Sequence, residues 1–161
     1  MNLHQIRQRR YSALSKLQAF ADAVIADGLK RGRELVVGTI RGEVIADLRT
    51  KGITLETTDV IIDDAIIVKY IKHVKSQKGA TVAPNKYWLV EKTLRNPTHI
   101  YEDTGQNCIV YVNTRAYGKG RALKVIVHPN YKYKGKTFNY LKSIGVIYNE
   151  DMKGRQFRKI K

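Results

Sequence analysis

Apolar residues recur at steps of three and four near the start of the chain: Leu14, Leu17, Ala21, Val24, Ile25 and Leu29. That spacing lines one side of a helix, and the absence of proline before Pro84 leaves it uninterrupted, so residues 2–33 are predicted helical, fraying at Gly28 and Gly32. Residues 34–40 (ELVVGTI) fit a short strand or a buried helical turn. Residues 42–51 read as an amphipathic helix closed by Gly52, and the polar, acidic residues 54–59 mark a boundary. The organisation expected is therefore a helical N-terminal region, residues 1–58, followed by a core domain, residues 59–161.

In the core domain, Asp63 and Asp64 precede a predicted helix over residues 65–75, where a carboxylate is well used as a cap. Its apolar side is Ile66, Ile67, Tyr70, Ile71 and Val74, which turns Lys69, Lys72 and His73 toward a different face. Residues 76–81 are a loop, and residues 84–94 a second helix with Pro84 in its first turn and Asn96-Pro97 stopping it. Past Pro97 the period becomes two. Residues 98–102, 108–113 and 122–128 read as strands separated by Asp103-Thr104-Gly105 and Gly118-Lys119-Gly120, most simply an antiparallel meander. Residues 129–136 (PNYKYKGK) are a Tyr- and Lys-rich loop, residues 143–149 a last strand, and residues 153–161 a loosely held basic tail. The fold class predicted is α+β, N-terminal helices followed by a small antiparallel sheet.

Charge narrows the partners. The 161 residues carry 30 Lys and Arg against 14 Asp and Glu, a formal charge of +16, and such an excess repels itself unless the partner is polyanionic. RNA, DNA or an anionic membrane surface would qualify, and a nucleic acid would be bound with steep salt dependence through phosphate contacts. On the first helix Arg7, Arg9, Arg10 and Lys16 form either a phosphate-tracking face or an ordinary solvated one. No stretch approaches the ~20 apolar residues that span a bilayer, and the first ten residues lack a signal-peptide core, so no membrane partner and a cytoplasmic site of action are expected. The single cysteine, Cys108, sits in an apolar run and reads as a small core residue. Nucleotide-cradling, dinucleotide, zinc and serine-hydrolase signatures are all missing, so neither cofactor nor metal is expected.

The residues left for chemistry are His73, His99 and His128, with Tyr101, Tyr111, Arg115, Arg121, Lys124 and the loop from Tyr131. Alternation puts Lys124 and His128 on one face of a strand, and Tyr111 and Asn113 on one face of the preceding strand with Arg115 extending it. These residue types suffice for metal-free RNA cleavage, in which a base takes the ribose 2'-hydroxyl proton, an acid protonates the leaving oxygen and cations stabilise the phosphorane-like state. They equally suffice for binding alone, by stacking on Tyr and ionic contacts to phosphate. Lys69, Lys72, Lys75, Arg121, His128, Tyr131, Lys132, Lys134 and Lys136 are the expected nucleic-acid contacts in either case.

The order of the segments IIVKYIKHVK, LVEKTLRNPTHIYED, NCIVYVN, RALKVIVHPN and KTFNYLKSIGVI resembles the phage-encoded toxin-like domains of the barnase, EndoU, colicin and RelE (BECR) fold, found alone or attached to phage head-morphogenesis proteins. The resemblance covers residues 59–149. It implies a metal-independent RNase-like cleft acting in a host cytoplasm. His73 would be the general acid or base, Arg115 and Lys124 phosphate or transition-state contacts, and Thr137, Tyr140 or Ser143 polar residues lining the far side. The competing expectation is a non-catalytic basic nucleic-acid-binding phage protein, such as an inhibitor of a host nucleoprotein defence, with a host or phage protein as a further partner. An ADP-ribosyltransferase-like effector ranks below both, because no Arg, Ser, Glu set is visible.

Overall fold

Asn2 opens the first helix, α1 (Leu3–Leu14), with a reciprocal cap: the Asn2 side chain accepts from the Gln5 N–H at 2.8 Å, and the Gln5 side chain accepts from the Asn2 N–H at 3.0 Å. The computed structural model describes residues 2–73, 81–148 and 152–161. The helix expected over residues 2–33 is two helices, because Ser15 adopts extended geometry and its hydroxyl accepts from the Gln18 N–H at 3.0 Å, starting α2 (Lys16–Asp27). Serine is indifferent inside a helix and strong at its start, so one hydroxyl divides an unbroken apolar pattern. Gly28, at φ 66°, ends α2. Only α2 buries apolar side chains of this pair, Leu17, Ala21 and Val24.

Residues 34–40 resolve as a strand, β1 (Glu34–Thr39), and α3 (Gly42–Thr50) follows where expected. The acidic boundary runs directly into a strand, β2 (Asp59–Asp63), which buries Val60 and Ile62 between flanking aspartates. α4 (Asp64–His73) is capped by Asp63, whose carboxylate accepts from the Ile66 N–H at 3.3 Å. Asp64 does something else: buried, it accepts from the Arg31 and Arg33 N–H groups and the Arg33 Nε. A 3-10 turn, Pro84–Lys86, leads into α5 (Trp88–Arg95).

The remaining strands are β3 (His99–Asp103), β4 (Cys108–Asn113), β5 (Arg121–Tyr133), β6 (Lys136–Tyr148) and β7 (Phe157–Lys159). They form one sheet in the order β1-β2-β6-β5-β4-β3-β7. The α+β class is as expected, with helices preceding the sheet, but the sheet is mixed: β2 runs parallel to β6 while every other neighbour is antiparallel.

Two segments differ from expectation. The Tyr- and Lys-rich loop is the far end of a long β5–β6 hairpin, with Tyr131, Lys132 and Tyr133 opposite Phe138, Thr137 and Lys136. Lys134 and Gly135, both at positive φ, make the two-residue turn that matches strand twist. Pro129 sits in the irregularity between His128 and Tyr131, where a missing N–H costs no ladder bond. The tail is held as well, since β7 pairs with β3, placing Tyr101 opposite Lys159 and Asp103 opposite Phe157.

Alternation then sorts the side chains. Leu123, Val125 and Val127 of β5 join Ile62 of β2, Ile109 of β4 and Leu141 of β6 in the main core with residues of α2, α3, α4 and α5. That core draws on Leu17, Val37 and Val44 as well as on later residues, so both sides of residue 58 share it. The helices therefore cover one face of the sheet. On the other face a small cluster of Val110, Val112, Ala122 and Met152 covers part of β3 to β6, with Ile147 and Phe157 against it.

Candidate nucleic-acid interface

Cross-strand register fixes what the less covered sheet face presents. Val112 lies opposite Lys124 and Lys124 opposite Gly145, while Val110 lies opposite Ile126 and Ile126 opposite Ser143. His128 lies opposite Tyr140, and its Nδ1 is 3.9 Å from the Cys108 sulfur on β4. Beyond it, Tyr131 touches three rings: His128 at 5.2 Å between centroids, Tyr140 at 5.1 Å and Phe138 at 5.6 Å.

Arg115 belongs to a different surface. Asn113, at the end of β4, donates to the Thr93 hydroxyl of α5 at 3.3 Å and accepts from the Arg115 N–H at 3.0 Å. This pins the chain leaving β4 against α5, and the exposed Arg115 side chain then lines two adjoining cavities. One, of about 740 Å³, lies where β3 begins and includes His99, Thr114, Lys92 and Lys161. The other, of about 450 Å³, lies between α1 and α5 and includes Arg7, Tyr11, Lys92 and Tyr117. Among the described residues, no Asp or Glu side chain lines either cavity. Arg7, Lys92 and Arg115 make no salt bridge among the described residues, whereas Lys161 is 3.7 Å from Glu43. Aromatic rings carry the cations: Lys92 lies 5.4 Å over Tyr11, itself stacked on Trp88, and Lys86 and Arg121 lie 5.3 and 5.6 Å from the Tyr117 ring.

Among the described residues, Arg115 and Lys124 of the expected catalytic set are not brought into one cleft. Arg115 lines the groove on the helix-covered side, and Lys124 projects from the other face of the sheet, opposite in alternation to Leu123 and Val125. Tyr140 donates to Asp63 at 3.1 Å, and burial together with that carboxylate pushes its phenol well above the usual range, which suits a fixed structural donor rather than a proton shuttle. The Ser143 hydroxyl lies 3.3 Å from that of Tyr70, which accepts the Ile144 N–H at 2.7 Å. Lys75 and the side chain of His73 lie outside the described residues. His73 ends α4, whose Ile66, Ile67, Val68 and Tyr70 are buried in the main core.

The expected binding residues divide in the same way. Lys69 and Lys72 are exposed on α4. Arg121 joins the groove through Tyr117. His128 and Tyr131 are on the less covered face, while Lys132 and Thr137 point to the other side of the hairpin from Tyr131. Lys134 lies 5.3 Å over the Tyr133 ring, and Lys136 is 3.2 Å from Glu34, a solvent-exposed pair of little energetic weight. Sequence reasoning did not single out Lys92 and Lys161; Lys92 reads there as an ordinary cation in the last turn of a helix.

Burial first, and the Lys142 charge second, hold the His128 pKa below its ordinary value of 6.5. Neutral His128 is therefore the form the fold prefers, and its contribution to stability is complete above pH 6.5 and lost as pH falls through the lowered value. Thermal melting from pH 7 downward is expected to show the native protein losing stability faster than a His128→Gln variant. Parallel curves would contradict this assignment.

Comparison with protein-family models, with curated proteins and with solved structures returned no match.

Proposed function

We propose that this protein binds nucleic acid without cleaving it, through phosphate contacts in the groove between α1, α5 and residues 114–117. The observation that carries the reading is a wall around Arg7, Lys92 and Arg115 that holds no Asp or Glu side chain among the described residues, in a chain of formal charge +16. A groove lined by cations alone is costly for a folded protein unless a polyanion relieves the repulsion. The adjoining Tyr11 and Tyr117 rings supply apolar contact that a purely ionic surface lacks. A BECR-like nuclease reading needs an acid and a base on the same phosphate as the cations, and the two histidines that line the groove, His4 and His99, stand in different cavities. Binding needs only the cations, and these the groove brings together.

The test is a titration of a short labelled single-stranded RNA by fluorescence anisotropy across a range of salt, in EDTA, with the RNA run on a denaturing gel afterwards. Each phosphate neutralised on a single strand contributes about −0.7 to the slope of log affinity against log salt, so three to four contacts give a slope of about −2 to −3. Intact RNA with such a slope is expected. A flat salt response overturns the groove, and shortened RNA overturns the non-catalytic reading.

A further inference from the structure

We propose that the outer end of the β5–β6 hairpin is a stacking platform for unpaired bases, separate from the Arg115 groove, so that the protein prefers single strands to duplex. The inference rests on the nucleic-acid reading and adds the form of the ligand.

Tyr133 is 55% exposed at the hairpin tip, whereas Phe138 beneath is 7% exposed. Strand alternation places Tyr131 and Tyr133 on the same face, and the register puts them opposite Phe138 and Lys136. Contacts of Tyr131 with Phe138 and Tyr140, at 5.6 and 5.1 Å, make a bed of rings that is ordered before any ligand arrives. Pre-ordered rings lose little conformational freedom on binding. The cluster of Met152 and Phe157 lies at the other end of the hairpin, where it takes in Ala122 and its cross-strand partner Ile147.

Charge identifies the occupant. Residues 121–148, the entire hairpin, contain no Asp or Glu. Lys134 lies 5.3 Å over the Tyr133 ring and Lys136 5.8 Å over the Phe138 ring, so cations border the aromatic surface. Glu34 and Asp63 approach from β1 and β2, but they are taken up by Lys136 and by the Tyr140 hydroxyl. Rings beside cations fit a strand that offers an apolar base and an anionic phosphate at each step. A base inside a duplex already has both faces stacked, so only an unpaired one gains from Tyr133.

The discriminating experiment measures affinity of the full chain for a single-stranded RNA and for the same sequence as a duplex, with Tyr133→Ala and Tyr133→Phe variants. Tyr133 is exposed, so neither change should disturb the fold. Tyr133→Ala is expected to weaken single-strand binding on the order of 10-fold and to leave duplex binding unchanged, with Tyr133→Phe restoring the native value. Unchanged single-strand affinity in Tyr133→Ala, or an equal loss on both ligands, overturns the platform while leaving the groove in place. Native protein that binds neither ligand overturns the nucleic-acid reading itself, and the platform with it.

Discussion

The double variant Arg115→Glu/Lys92→Glu is expected to bind RNA about 100-fold or more weakly at low salt, the largest loss available from two surface substitutions. Both side chains line both cavities of the groove, and both are exposed, so the fold should survive. Removing two phosphate contacts should reduce the magnitude of the salt slope by about 1.4. The new carboxylates add repulsion to a wall with no Asp or Glu side chain among the described residues. A matched change elsewhere separates local from overall charge: Lys30→Glu/Arg49→Glu alters the net charge equally, at exposed positions on the α2–β1 connection and on α3. That variant should retain most of the affinity and the slope. Equal losses in the two variants would mean that the excess charge alone attracts RNA, and would remove the groove from the explanation. Lys92→Glu also places an anion in the last turn of α5, which costs about 0.3–1 kcal/mol of stability, so melting curves should accompany the binding data.

How much of this was legible in the sequence depended on whether the information was local. The alternation of residues 122–128 put Val125 and Val127 on one face and Lys124, Ile126 and His128 on the other, and in the structure Val125 and Val127 are in the main core and the other three are not. The helices α3, α4 and α5 followed from apolar spacing and from Pro84 and Asn96. What escaped was pairing. Asn113 lies opposite Leu123, so the face of β4 that Arg115 extends is the helix-covered one and not the face of Lys124. Residues 114–120 join the two strands, and nothing in so long a connection fixes the register, yet a shift of one residue would exchange the faces. The strand β2 was hidden for a related reason: its period-two pattern is only five residues long, between aspartates that suggest a linker. The β5–β6 hairpin tip looked like a loop because lysines outnumber apolar residues there, and only pairing of Tyr131 with Phe138 reveals a strand. β7 offers Phe157 alone as an apolar residue, and it is held by hydrogen bonding to β3 instead. The groove depends on side chains far apart in the chain, Arg7, Lys92 and Arg115, which no local pattern could join.

Asp64→Ala is expected to destabilise the protein by about 2–4 kcal/mol, a large part of the stability typical of a domain this size. Asp64 is 1% exposed and accepts from the Arg31 N–H at 2.7 Å, the Arg33 N–H at 3.2 Å and the Arg33 Nε at 3.1 Å. Alanine would leave those donors in a site too enclosed for water to serve them freely. Arg33 also bonds Asp27 with both terminal nitrogens, at 2.9 and 3.0 Å, so the loss would loosen the end of α2 from the start of α4. Burial by itself would raise the Asp64 pKa; the Arg31 N–H, followed by the Arg33 side chain and N–H, brings it below the ordinary carboxylate value of 3.8. A carboxylate with a depressed native pKa contributes stability that is complete above its unfolded value and is lost as pH falls through the native one. The variant should therefore be much weaker than the native protein at pH 7, and the gap should close in acid, as measured by urea unfolding at both pH values. A constant gap would show that Asp64 acts by packing rather than by charge. No gap at pH 7 would mean that the three donors find other partners, and that the link between α2 and α4 lies elsewhere.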